Sequence, residues 1–243
     1  DVLGFDAKRK RIYFTSSKEG ATQKHTSHVD MRGRVTTLDA TSGTHSDDFS
    51  NSFDYSIHQH STANTPPVYT LRDRNGKVIR TLKDNASLRE TLDEHGAVDK
   101  EFFTFTNDAG VELNCWKMLP QDFDPAKKYP VYVAIYGGPG ANTVNDSWGG
   151  STFMWQQYLA QEGYIVVSCD PRGTQFRGRA FEHSTYKELG KLETEDFIDL
   201  AEHLGTWDHV DADRIGIQGW SYGGFMTLLC MTKGADVYNA GIS

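Results

Sequence analysis

The chain has 243 residues, 37% of them hydrophobic and 12% aromatic, enough for one large or two modest packed domains. Its 33 acidic against 25 basic residues give a net charge of −8 with no long basic run, which excludes the electrostatic footprint of a nucleic-acid binder. No apolar run is long enough for a membrane span, and the opening DVLGFDAKRKRIYF has no apolar signal region, which leaves open a leader upstream of Asp1.

From Asp1 to about Asp84 the chain is polar, with short β-like runs at RIYFTSS, HTSHVDM, RVTTLDA, FDYSIHQHS and VYTLRD. Antiparallel strands of this length and spacing predict one or two propeller blades or part of a sandwich, too few to close a propeller. In VYTLRDRNGKVIRTL, Asn75-Gly76 can supply the positive φ angles of a tight hairpin turn. His25, His28, His45, His58 and His60 invite a metal reading. No Cys or carboxylate cluster stands at ligand spacing, so histidines in solvent or on a strand surface are expected, and no metal site.

NASLRETLDEHG, residues 85–96, predicts a short helix capped by Asn85 and ended by Gly96, with a domain boundary inside it that separates 1–86 from 87–243. EFFTFTNDAGVELNCWKML predicts a hairpin around Asn107–Gly110, and KKYPVYVAIYGG a strand buried on both faces. A helix over STFMWQQYLAQ ends at Gly163, and an apolar strand, YIVVSCD, follows. The spacing of Phe197, Leu200, Ala201 and Leu204 predicts an amphipathic helix, and NAGIS a last strand. Alternating strands and helices from Val131 onward predict a mostly parallel sheet covered by helices. Cys115, Cys169 and Cys230 lie in apolar stretches without C-x-x-C spacing and are expected to be buried free thiols.

The chemistry-bearing stretch is RIGIQGWSYGGFMTLLCMT, residues 214–232. A short strand ends at Gly219, an apolar helix starts at Tyr222, and Gly219 and Gly223 bracket Ser221 as G-x-S-x-G. Glycines at those places let strand and helix approach while the serine takes a strained conformation with Oγ exposed. A serine there also stands beside free helix N-terminal amides, notably that of Tyr222, suited to an oxyanion. The alternative is a glycine-rich turn with a serine N-cap. Tyr136-Gly137-Gly138-Pro139-Gly140 follows a buried strand, where such a sheet takes its second oxyanion donor, and makes Tyr136 that candidate. Asp170-Pro171-Arg172-Gly173 ends the next strand on the carboxyl edge, where Arg172 has either a structural ion pair or a substrate contact. Trp220 has either a pocket or the core to line.

Together GWSYGG at 219–224, Lys128-Tyr129-Pro130 leading to Tyr136-Gly137-Gly138-Pro139, Asp170–Gly173 and PPVYTLRDRNGKVIRTLKDN resemble the dipeptidyl peptidase IV branch of the prolyl oligopeptidase family of serine peptidases. The resemblance spans most of the chain, more firmly after residue 98. It implies an α/β fold, the N-terminal part of an α/β-hydrolase sheet cut after the nucleophile elbow, preceded by antiparallel strands from the end of a β-propeller. It implies a peptidase that removes dipeptides from free N-termini, favouring proline or alanine second. Ser221 would be the nucleophile, the Tyr222 amide and the Tyr136 hydroxyl the oxyanion hole, and Trp220 and Tyr222 substrate contacts. Cofactor and metal are not called for. A homodimer is allowed for, and a periplasmic or extracellular setting is implied. Another prolyl-oligopeptidase-like hydrolase, an endopeptidase or acylaminoacyl-peptidase, and a non-catalytic scaffold are the alternatives.

The departure is that such hydrolases order their triad Ser, Asp or Glu, then His, and no such pair follows Ser221 here. His183, His203 and His209 all precede it. The family's glutamates for the substrate amino group belong to an earlier propeller part. The chain is therefore expected to be a fragment, inactive alone.

Overall fold

The structure, a computed structural model, describes residues 1–243. The chain forms two compact units, one of Asp1–His95 with Asn145–Gly150 and one of Gly96–Val144 with Ser151–Ser243. No helix is long and apolar enough to cross a membrane.

The first unit holds two four-stranded antiparallel sheets, each a meander in chain order. One comprises β1 (Val2–Asp6), β2 (Arg11–Ser16), β3 (His25–Asp30) and β4 (Val35–Thr37). The other comprises β5 (Thr44–Phe49), β6 (Tyr55–Ser61), β7 (Val68–Asp73) and β8 (Val78–Lys83). Two strands do not bury an apolar face. β1 is mostly exposed, and β5 turns His45 and Asp47 inward where an ordinary strand would bury Val or Ile.

The interior of this unit is accordingly polar. Tyr13 packs against Phe49 and Phe53, at ring-centroid distances of 4.6 and 5.1 Å, but around it lie buried Thr26, Ser27, Ser56 and several histidines. This corrects the expectation of histidines in solvent or on a strand surface. His45 and His58 are each only 1% exposed, and His25 and His28 are buried as well. The fold also supplies the carboxylates that local spacing did not, Asp39 and Asp47.

The β7–β8 hairpin forms, with different turn chemistry. Only Gly76 takes a positive φ, +79°, while the Asp73 carbonyl accepts the Gly76 amide at 2.9 Å and its carboxylate accepts those of Asn75 and Lys77. This is a longer loop closed by a glycine bulge rather than a two-residue turn. Helix α1 (Ala86–Glu94) also forms, but Asn85 does not cap it: its side chain donates to the Pro67 carbonyl at 2.7 Å, and Asp84 accepts the Ala86 amide instead. Gly96 ends the helix at φ +62°.

The second unit is built on a six-stranded mixed sheet. Its strands are β9 (Glu101–Thr106), β10 (Glu112–Met118), β11 (Tyr129–Ile135), β12 (Ile165–Asp170), β13 (Val210–Gly219) and β14 (Ala240–Ile242). Their spatial order is β14-β13-β11-β12-β10-β9, with β14, β13, β11 and β12 mutually parallel and the β9–β10 hairpin antiparallel at one edge. Every residue of β12 is buried, as its apolar run required.

The helices of this unit are α2 (Gly150–Gln161), the single turn α3 (Arg179–Glu182), α4 (Leu192–Gly205) and α5 (Tyr222–Lys233). The stripe Phe197, Leu200, Ala201, Leu204 of α4 is fully buried with Val133, Ile217 and Met226 in one core. Each of the larger side chains, such as Phe197 or Leu200, contributes roughly 1.5–3 kcal/mol of burial. All three cysteines are buried and free, Cys115 facing Cys169 across the β10–β12 pair.

Candidate active site

Strand β13 ends at Gly219 and helix α5 begins at Tyr222, so the chain reverses from strand to helix in two residues. Ser221 takes φ 58° and ψ −116° there, which for a residue with a Cβ costs about 1–3 kcal/mol. Its neighbours hold it. A Cβ on Gly219 would fall inside the backbone of Gly223, and one on Gly223 would stand 2.6 Å from the Ile135 carbonyl oxygen and 3.2 Å from Tyr136 Cα. Both clashes are with backbone, which cannot turn aside. The Gly223 amide donates to the Trp220 carbonyl at 2.9 Å, and the first helical bond runs from the Phe225 amide to the Ser221 carbonyl at 3.1 Å. The Tyr222 amide, at the first helical position, has no acceptor within the helix and stands next to an exposed Ser221.

The same close approach brings in β11. Ile135 pairs with Gly219, so Tyr136 leaves the sheet beside the elbow. The Tyr136 and Tyr222 rings lie 6.1 Å apart, and Gly138 passes against both: a Cβ there would be 2.6 Å from Tyr136 Cε1 and 3.1 Å from Tyr222 Cγ. Gly137 is at φ +74°, and a side chain on it would enter the Phe197 ring. The glycine pair is thus explained by one conformational and one steric demand.

The Tyr222 phenol donates to Glu193 Oε1 at 2.8 Å. Glu193 is fully buried and also accepts the Gly190 amide at 3.0 Å. Burial, then the Glu193 carboxylate, pushes the phenol well above its usual pKa. Trp220, 81% exposed, does not pack in the core.

Asp170, at the end of β12, has a part that the sequence did not reveal. Its buried carboxylate accepts the Thr143 amide at 2.7 Å, Thr143 Oγ1 and Asn142 Nδ2 at 2.9 Å each, and the Val144 amide at 3.2 Å. It therefore pins the loop that leaves Tyr136 to the carboxyl edge of the sheet. Burial raises its pKa, and these hydrogen bonds oppose the rise without cancelling it. Its only sequence signal was an acid ending a buried strand. Arg172 is structural: its Nη2 lies 2.7 Å from Asp196 and 3.2 Å from Glu195, and its amide donates to Asp196 at 2.7 Å.

The three histidines that precede the serine in this unit are engaged elsewhere. His203 stacks on Phe105, with Trp207 edge-on to it; His209 meets Phe123 and Trp207; His183 faces Tyr186. The arrangement therefore offers a strained, exposed hydroxyl, an unengaged helix amide and an adjacent tyrosine.

The pattern of the prolyl oligopeptidase family matches residues 151–243, and that of the dipeptidyl peptidase IV N-terminal region matches residues 1–67. A probable dipeptidyl peptidase 4 of Arthroderma benhamiae and a dipeptidyl peptidase 4 of Trichophyton equinum are each 35% identical over 250 residues, covering 100% of this chain and 32% of the relative. The crystal structure of Porphyromonas gingivalis dipeptidyl peptidase 4 superposes with a TM-score of 0.95 at 38% identity, over 100% of this chain and 34% of that one. A putative dipeptidyl aminopeptidase IV from Bacteroides ovatus gives a TM-score of 0.87 at 33% identity, over 100% of this chain and 34% of that one. The chain thus spans about a third of the length of these relatives. With an N-terminal and a C-terminal stretch matched, and the blade-like sheets and hydrolase sheet in their expected order, the chain belongs to the prolyl oligopeptidase family, in its dipeptidyl peptidase IV branch.

Proposed function

We propose that this chain carries the nucleophile of a serine peptidase that releases dipeptides from free N-termini, preferring proline or alanine in the second position. The observation that carries it is the strained positive-φ backbone of Ser221, held between two glycines whose side-chain positions are filled by backbone. Strain of this kind persists where surrounding structure imposes it, and here it presents one hydroxyl at the carboxyl edge of a parallel sheet.

In the proposed reaction Ser221 Oγ attacks the carbonyl carbon of the second residue while an imidazole base removes its proton. The tetrahedral oxyanion is met by the Tyr222 amide and the Tyr136 hydroxyl. Collapse expels the amine of the remaining peptide, protonated by the same imidazole, and leaves a dipeptidyl ester on Ser221 that water hydrolyses. His183, His203 and His209 face aromatic side chains instead of Ser221, so the 243 residues by themselves are not expected to turn over an amide. Tyr222 has its phenol committed to Glu193 and so offers the substrate its ring and amide, while exposed Trp220 offers a flat apolar wall.

The test is release of a chromogenic amine from Gly-Pro and Ala-Pro amides by the protein purified from its source, compared with the same amides acetylated at the N-terminus. Turnover of the free forms alone, abolished in Ser221→Ala, is expected. Equal turnover of the acetylated forms would assign an endopeptidase or acylaminoacyl-peptidase instead, and no turnover of either would favour a scaffold.

A further inference from the structure

The first unit contains a buried cluster of imidazoles and carboxylates that the peptidase reaction does not use. The β5–β6 register sets His45 opposite His60 and Asp47 opposite His58, which gathers all four on one stretch of the sheet. Asp39, from the segment between β4 and β5, joins them, with Oδ2 3.8 Å from His45 Nδ1.

Hydrogen bonding fixes which ring nitrogens carry protons. His45 Nε2 lies 2.9 Å from the Thr41 carbonyl, which can only accept, so Nε2 holds the hydrogen and Nδ1 a lone pair. His58 Nδ1 lies 3.1 Å from Asp47 Oδ1, an oxygen that also accepts from Ser56 Oγ at 3.0 Å, so in the neutral ring Nδ1 holds the hydrogen and Nε2 a lone pair. These two lone-pair nitrogens, His45 Nδ1 and His58 Nε2, are 3.4 Å apart on side chains 1% exposed. Two acceptors facing each other out of water repel unless something positive lies between them.

We propose that His45 Nδ1, His58 Nε2 and a carboxylate oxygen of Asp39 form a site for a divalent transition cation of the zinc class. Two imidazole nitrogens on a tetrahedral zinc at 2.0–2.1 Å lie about 3.3–3.4 Å apart, which is the spacing found. One donor atom each from Asp39, His45 and His58 lies within 4.8 Å of the others, and Asp39 Oδ2 is 3.8 Å from Nδ1 of both His45 and His58. The surroundings are those of a metal site. Each ring gives its other N–H to an oxygen, His58 to a carboxylate and His45 to a backbone carbonyl, which fixes ring orientation and raises ligand basicity. Arg72 Nη1 donates to both oxygens of Asp39, at 2.7 and 2.8 Å, and so orients the carboxylate. Two imidazoles and one carboxylate suit zinc, nickel or copper better than calcium or magnesium, which take oxygen. The cation would tie β5 and β6 to the segment before them, a structural part separate from Ser221.

The probe is Zn²⁺ alone, titrated calorimetrically into the full chain after chelator treatment, with X-ray absorption at the zinc edge on the unmodified protein. Expected are one equivalent bound, an edge spectrum with two imidazole nitrogens in the first shell, and affinity lowered at least about tenfold in His45→Gln, His58→Gln and Asp39→Asn but not in His183→Gln. The edge spectrum needs no variant and so reads the site even where a substitution unfolds the unit. No stoichiometric zinc, a first shell lacking two imidazoles, or affinity unchanged in the His45 and His58 variants would overturn the site and leave a shared proton between the rings.

Discussion

Gly223 and Ile135 approach so closely that a Cβ on the glycine would stand 2.6 Å from the isoleucine carbonyl oxygen, which locks the start of α5 onto the end of β11. Gly223→Ala must therefore shift backbone and is expected to cost about 1–3 kcal/mol of stability. Gly224→Ala, whose Cβ would meet the nearest atom at 3.4 Å, should cost less. Urea midpoints of the two variants check this, and equal effects would mean that the elbow is less tightly packed than described.

Tyr136→Phe keeps the ring against Gly138 and removes only the hydroxyl. If that hydroxyl serves the oxyanion, kcat falls roughly 10²-fold or more, with KM and the denaturation midpoint nearly unchanged. A purely structural hydroxyl would instead give about 1 kcal/mol of lost stability and a normal kcat. Steady-state kinetics and one urea curve separate the two.

Asp170→Ala leaves the amides of Thr143 and Val144 without their acceptor in a buried place. Stability is expected to fall by about 3 kcal/mol, at the level of lost hydrogen bonds to a charged group. Asp170→Asn, which keeps one acceptor oxygen, should lose less. Hydrogen exchange at the Thr143 and Val144 amides reads the loop directly, and unchanged protection in Asp170→Ala would remove the anchoring role.

His203 and His209 are held below the usual histidine pKa, His203 by burial and His209 by burial and then the nearby Lys117. Their folded state binds fewer protons than the unfolded chain. The stability they contribute is thus complete above about pH 6.5 and is lost as pH falls through the folded values. The urea midpoint should drop between pH 7.5 and 5.5, and His203→Phe, which retains the stack on Phe105, should drop less. An equal drop in the variant would exclude His203 as a source.

Much of the second unit was legible because its strands and helices advertise burial. β12 is apolar throughout, α4 carries Phe197, Leu200, Ala201 and Leu204 at helical spacing, and the glycines around Ser221 mark the elbow. The first unit was legible only in part, because its interior is polar: β5 buries His45 and Asp47, so apolar alternation could not find it. Asn85 resembles a helix cap, yet a tertiary acceptor, the Pro67 carbonyl, captured its side chain. Asp170 was beyond local reading because three of its four donors come from Asn142 and Thr143 and the fourth from Val144, 26 to 28 residues earlier in the chain.

In the reaction proposed above, the strained Ser221 is the activated nucleophile. A fluorophosphonate probe applied to the protein purified from its source, with the adduct mapped by mass spectrometry, tests it most directly. A single adduct on Ser221, absent in Ser221→Ala, is the expected result. An adduct on another serine, or none on the folded protein, would contradict it.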